Sequence, residues 1–214
     1  MVDNGPTLGE RMKIIGLLDS PFVRRVCVTA ALYGITIERR DLSVYGDEAE
    51  LREFNSLLTA PVAILRDGEI LVDSAAIIDY LDEQFGRDEA LIATSGSERR
   101  RTLQGVAIAQ FACEKIGQLW REVSYRPTSL TFEPIVDRMG QQISRAFAQL
   151  EDNYLESHRL APTHAEVFIA IAFRFAQHYV PALVPADKHP RIVSTSAMLE
   201  ATEPFRTFSF PEQV

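Results

Sequence analysis

Two cysteines in 214 residues, Cys27 and Cys113, leave this chain without a CxxC pair or a disulfide framework. Cys27 falls on the apolar stripe Val23, Val26, Cys27, Ala30, where a packed thiol is expected and a nucleophile is not. Basic residues are also in deficit. Lysine and arginine total 22 against 30 aspartate and glutamate, a net charge of −8. A nucleic-acid partner calls for a basic face and is excluded on that ground. Arg99-Arg100-Arg101 is short enough to be a solvated turn. No apolar run reaches the ~20 residues of a bilayer-crossing helix, so no membrane partner is expected. The start lacks a signal-peptide layout, and a cytoplasmic protein with reduced thiols is expected. The four histidines are scattered, with no His, Cys and acidic cluster at ligand spacing, so no metal site is expected.

The charge that is present is unevenly placed. Residues 12–92 carry 8 basic and 15 acidic side chains, and residues 93–214 carry 13 of each. An anionic ligand of the first part therefore needs local help from helix ends and backbone donors.

The pattern changes near residue 92 as well. Residues 1–11 are polar and read as a flexible extension. Met12–Leu18 reads as a buried strand and Pro21–Tyr33 as a helix stopped by Gly34. A second strand is expected from Ile35 to Leu42, and a short helix over Asp47–Phe54. Asp67-Gly68 between two apolar runs signals a hairpin. Asp73-Ser74 opens a helix from Ala75 to Phe85, closed by Gly86. The order βαβαββα over 12–92 is that of a small α/β domain with a mixed sheet. Beyond it the strand signals stop. Helical spacing is expected over Ser97–Ser124, as one helix or two in register, and over Phe132–Leu155, Ala165–Gln177 and His189–Leu199, so 97–214 reads as an all-helical domain.

Three short motifs in the first domain bear on chemistry. Ser20 precedes Pro21 at a helix start, where proline suits the first position and serine the cap. The same place, with free N–H groups and the positive dipole end, stabilises an anion and lowers the pKa of a docked thiol. Ala60-Pro61-Val62 heads the hairpin. It is either an ordinary trans proline or a cis turn that offers the Ala60 backbone to an extended ligand. Asp73-Ser74 is either a plain cap or a cradle for a carboxylate.

In this order and spacing the motifs resemble those of the cytosolic glutathione S-transferases, of the bacterial kind with a serine-type active site. The resemblance runs over about residues 12–210. It rests on Ser20-Pro21-Phe22-Val23-Arg24-Arg25-Val26, the x-Pro-Val strand and Asp73-Ser74-Ala75-Ala76-Ile77. Thr163-x-x-Glu166 is similar to the family's helix-capping motif and bears on the fold. The resemblance implies a thioredoxin-like N-terminal domain followed by an all-α domain, the glutathione S-transferase fold. It implies glutathione as co-substrate, a small hydrophobic electrophile as the second substrate, and a homodimer. Ser20 would hydrogen-bond the glutathione sulfur as the catalytic hydroxyl, and Phe22 would line the pocket. Ala60, ahead of a cis Pro61, would pair with the cysteinyl backbone; Asp73 would face the γ-glutamyl ammonium and Ser74 its carboxylate. Thr59 stands where the family often has a lysine or glutamine that touches the tripeptide. The loss of that contact costs roughly 1.5–3 kcal/mol if charge-assisted. Gln110, Phe111, Glu114, Trp120 and Tyr125 would line the second-substrate pocket or, equally, pack as core. A binding or scaffold protein of the same fold, without transferase activity, is the alternative. A thiol–disulfide enzyme would need cysteine where Ser20 stands, and glutathione-dependent isomerase or dehalogenase chemistry is not separable from conjugation.

Overall fold

A computed structural model describes residues 12–85, 90–155 and 161–211. The 1–11 extension and the Gly86 helix stop lie outside the described residues. The chain divides into two compact units, Met1–Leu91 with Thr202–Val214, and Ile92–Ala201.

The first unit follows the expected order: β1 (Met12–Ile15), α1 (Pro21–Leu32), β2 (Ile37–Arg40), α2 (Glu48–Phe54), β3 (Val62–Ile64), β4 (Ile70–Val72) and α3 (Ser74–Phe85). The strands lie in the order β2-β1-β3-β4. β1 runs parallel to β2 and antiparallel to β3, and β3 pairs antiparallel with β4. This is the mixed sheet of a thioredoxin-like domain. Successive strand residues point to opposite faces. Ile14 and Ala63 pack with Val23, Val26 and Cys27 of α1 and Ile77 and Leu81 of α3. Ile15 and Val62 pack on the other face with Leu42 and Leu51. The edge strand β2 is charged at three of its four positions. Lys13 pairs with Glu38 at 3.0 Å, and Arg40 pairs with Glu50. Charges on an edge discourage pairing with another chain.

Local chemistry sets the element ends. α1 stops at Gly34, whose φ of +70° suits glycine. The amides of Gly34 and Ile35 return to the carbonyls of Ala31 and Ala30, at 3.0 and 2.9 Å. This is the Schellman closure. The hairpin turns through Asp67 and Gly68, with the Leu65 amide bonding the Glu69 carbonyl at 2.8 Å.

The second unit contains α4 (Gly96–Ser124), α5 (Glu133–Asn153), α6 (His164–Tyr179) and α7 (Pro190–Glu200). Ser97–Ser124 is therefore part of one continuous helix. α6 is buried at every position from His164 to Phe173. A Cβ on Gly105 would lie 2.8 Å from that of Ala165, so the glycine lets α4 and α6 approach closely. Thr163 and Glu166 form the expected capping box: the Thr163 amide bonds Glu166 Oε2 at 2.8 Å, and the Glu166 amide bonds Thr163 Oγ1 at 3.2 Å. α7 has a less local cap. Buried Glu151 of α5 accepts the amides of Arg191 and Ile192 at 2.8 and 2.9 Å. The carboxylate thus neutralises two free donors at the helix start. Among the described residues no single helix is long and apolar enough to cross a membrane.

One short helix was not expected. α8 (Glu203–Thr207) belongs to the first unit, although the pattern had grouped it with the helical domain. Phe208 packs against the core cluster of α1 and α3, and Arg24 of α1, which is fully buried, adds a polar tie. Its Nε donates to the Phe208 carbonyl at 2.8 Å, and its guanidinium lies 5.4 Å from the Phe205 ring centre. A buried guanidinium must be paired, and this pairing holds the returning chain on α1.

Candidate functional site

Sheet register brings the three motifs of the first domain to one end of the sheet. Val62, the first residue of β3, pairs with Ile15, the last of β1, and with Val72, the last of β4. Because β3 runs against both neighbours, the turn into α1, the Ala60-Pro61 approach to β3 and the turn into α3 emerge side by side. Residues some forty and fifty positions apart therefore share one edge.

At the first of these turns Ser20 caps α1 in extended conformation, with Pro21 at the first helical position. Its Oγ accepts the Val23 amide at 3.4 Å, a long bond. The Arg24 amide is satisfied by the Ser20 carbonyl at 2.9 Å. The hydroxyl proton takes no part in the capping bond and remains to donate elsewhere. Phe22 is half-buried beside it. The first turn of α1 itself carries no acidic residue.

At the second turn the Ala60–Pro61 peptide bond is cis. Ala60 is half-buried and enters none of the backbone hydrogen bonds among the described residues. Pro61 is buried, Thr59 exposed. Thr59 has an internal partner: Asn55 Nδ2 donates to its carbonyl at 2.9 Å and to its Oγ1 at 3.0 Å. Asn55 Oδ1 meanwhile accepts the Leu57 amide at 2.9 Å. Asn55 thus staples the loop, a role that sequence reasoning missed. Its signal was an asparagine closing a helix, the kind of residue that bonds nearby backbone.

At the third turn Asp73 has φ +71°, a left-handed conformation that aspartate tolerates. Its Oδ1 accepts the Ala75 amide at 2.8 Å, and its carbonyl accepts the Ile77 amide at 3.2 Å. It is therefore the cap of α3. Asp73 is exposed, whereas Ser74 is 2% exposed at the first helical position. The set offers a carboxylate outward and helix-start donors behind it. A ligand end bearing both an ammonium and a carboxylate matches that pairing of charges.

The other candidates lie on α4 of the second unit. Gln110 Nε2 donates to Glu114 Oε1 at 3.0 Å, and Phe111 is half-buried with Lys115 Nζ 5.6 Å from its ring centre. Trp120 stands edge-on to Tyr125 and Tyr179, with centroids 5.1 and 5.6 Å apart. Trp120 is half-buried despite these contacts, and Tyr125 is well exposed.

Residues 14–89 match the family described as glutathione S-transferase, N-terminal domain. The uncharacterized GST-like protein YibF of Escherichia coli (strain K12) is 27% identical over 161 residues, which span 75% of this chain and 79% of that protein. A glutathione transferase family member from Pseudomonas fluorescens Pf-5, solved with bound glutathione, superposes with a TM-score of 0.83 at 26% identity. The match covers 94% of this chain and 99% of that one. Glutathione S-transferase U8 of Arabidopsis thaliana is 26% identical over 91 residues, 42% of this chain and 41% of that protein.

Proposed function

The chain is a member of the glutathione S-transferase family, and from that premise we propose that its first unit binds glutathione and presents the thiolate to an electrophile. The reading assigns Ser20 to the sulfur, Ala60 to the cysteinyl backbone, and Asp73 and Ser74 to the γ-glutamyl end. Phe22, Thr59 and Pro61 complete the walls. One observation carries it: the shared register of Ile15, Val62 and Val72, which sets a helix start, an unpaired backbone turn and an acidic cap on one edge.

The chemistry needs no protein covalent intermediate. The thiol proton leaves to solvent, and the Ser20 hydroxyl donates to the sulfur anion that remains. Sulfur then attacks an electrophilic carbon of a small apolar substrate; the C–S bond forms and the leaving group departs with its electron pair. Ser20 acts by electrostatic stabilisation, helped by the α1 dipole. Gln110, Phe111, Glu114 and Trp120 on α4 are assigned to the second substrate. A cytoplasmic homodimer belongs to the same reading.

Titration calorimetry with reduced glutathione tests it. The native protein is expected to bind between micromolar and low-millimolar concentration, with the Ser74→Ala variant weaker by about tenfold. No native binding up to roughly 10 mM would sink the assignment, being beyond the millimolar end of the affinity scale.

A second reading is favoured by Thr59. Its hydroxyl is engaged by Asn55 within the loop, and it supplies no cation for the tripeptide. A protein that holds glutathione weakly and catalyses no transfer would have this arrangement. Measurable affinity with no turnover on any electrophile would identify it.

A further inference from the structure

We propose that Gly16 is a positioning residue that sets the spacing between the Ser20 helix start and the Ala60 backbone; this rests on the glutathione reading above. Gly16 follows β1 directly and is buried. Its φ is +133°, open to glycine and strained for any other residue. Its amide is anchored to the Arg40 carbonyl at 3.0 Å, so the residue cannot simply retreat. A Cβ at this position would lie 2.6 Å from Val23 Cγ2 and 2.9 Å from the Ala60 Cβ. Val23 is the residue whose amide bonds the Ser20 hydroxyl oxygen. The two halves of the cysteinyl site therefore meet on the bare α-carbon of one glycine.

The spacing matters because the ligand is of fixed length. The cysteinyl residue must reach Ser20 with its sulfur while its own backbone pairs with Ala60, and only two covalent bonds separate that sulfur from its α-carbon. Ordinary carbon–carbon contact is about 3.5–4.0 Å, so a methyl group on Gly16 must force Val23 and Ala60 away by roughly 1 Å. A displacement of that size is enough to spoil a site built for simultaneous contacts.

The test titrates reduced glutathione into the native protein, Gly16→Ala, Val23→Ala, the double variant and Val26→Ala, with thermal unfolding recorded for each. Val26 is the comparator: it is fully buried on the same helix and in the same cluster, and the three atoms nearest a Cβ on Gly16 belong to Val23 and Ala60 instead. Gly16→Ala is expected to weaken affinity at least tenfold. The double variant should recover part of that loss, because Val23→Ala removes the shorter clash. Val23→Ala alone should weaken binding several-fold, while Val26→Ala, with a similar loss of stability, stays within twofold of native. Equal effects of Val23→Ala and Val26→Ala on affinity would overturn the inference, since packing alone would then explain both. That pair decides the matter even where Gly16→Ala fails to fold. Absence of binding by the native protein defeats the glutathione reading and this inference together; native binding that neither Gly16→Ala nor Val23→Ala disturbs defeats the inference alone.

Discussion

Ser20 gives little to its own helix. At 3.4 Å its capping bond is long, so Ser20→Ala is expected to cost only about 0.5–1 kcal/mol of stability. Its proposed role at the sulfur is a different quantity. Loss of one preorganised donor to a developing or resting anion costs roughly 10²-fold in turnover. Steady-state rates of glutathione conjugation, set beside a thermal melt, separate the two; native-like turnover in the variant would remove Ser20 from the mechanism. Cys27 makes the opposite case, a potential nucleophile kept inert. Burial pushes its thiol up to about 12, against the nearby Arg39 charge, which pulls the other way. The folded state keeps this proton where the unfolded chain, with a thiol near 9, gives it up. Stability should therefore fall as pH rises from about 9 toward 12. Tyr33, raised by burial and by its bond to Asp82, adds a loss of the same sign. Urea midpoints between pH 8.5 and 11 should decline less steeply in Cys27→Ala than in the native protein. Parallel slopes would show that the thiol is not the cause.

Among the elements, α1 carries the most. Its first turn meets Gly16 and the proposed ligand site, its apolar stripe fills the core, and Arg24 holds α8. The stripe, the Ser-Pro start and the Gly34 stop were all legible in the sequence, because each acts over three or four residues. Arg24 was not. A second basic residue beside Arg25 on an amphipathic helix reads as solvated, and its partner, the Phe208 carbonyl, lies 184 positions away. Arg24→Ala should destabilise the protein by roughly 2–3 kcal/mol, a hydrogen bond to a charged donor being worth most of that. The amides of 205–210 should lose protection first in hydrogen exchange. A uniform loss across the first unit would mean that Arg24 serves the core and not the returning segment. Glu151 is the same lesson in the second unit: a buried carboxylate closes the start of α7 from forty residues back.

For the molecule as a whole, the switch from alternating strands and helices to helices alone told of two architectures in one chain. The hairpin turn, the capping box and the buried α6 could be read because propensity, capping and periodicity are local properties. The site was only half legible. Ser20, Ala60-Pro61 and Asp73-Ser74 stood out as turn and cap chemistry, yet nothing local says that they adjoin. Sheet register does that, by pairing Val62 with both Ile15 and Val72. Likewise Thr59 was visible as a departure, but that Asn55 engages its hydroxyl is a fact of loop geometry. Gly16 passed unnoticed for the same reason. A glycine after a strand is ordinary in sequence, and its meaning comes from Val23 and Ala60 closing on it from either side. Helix starts, turns and apolar stripes follow from interactions within a few residues and are written in the chain. Which of them become neighbours depends on strand pairing and on buried polar groups finding partners, and those are settled when the whole core closes.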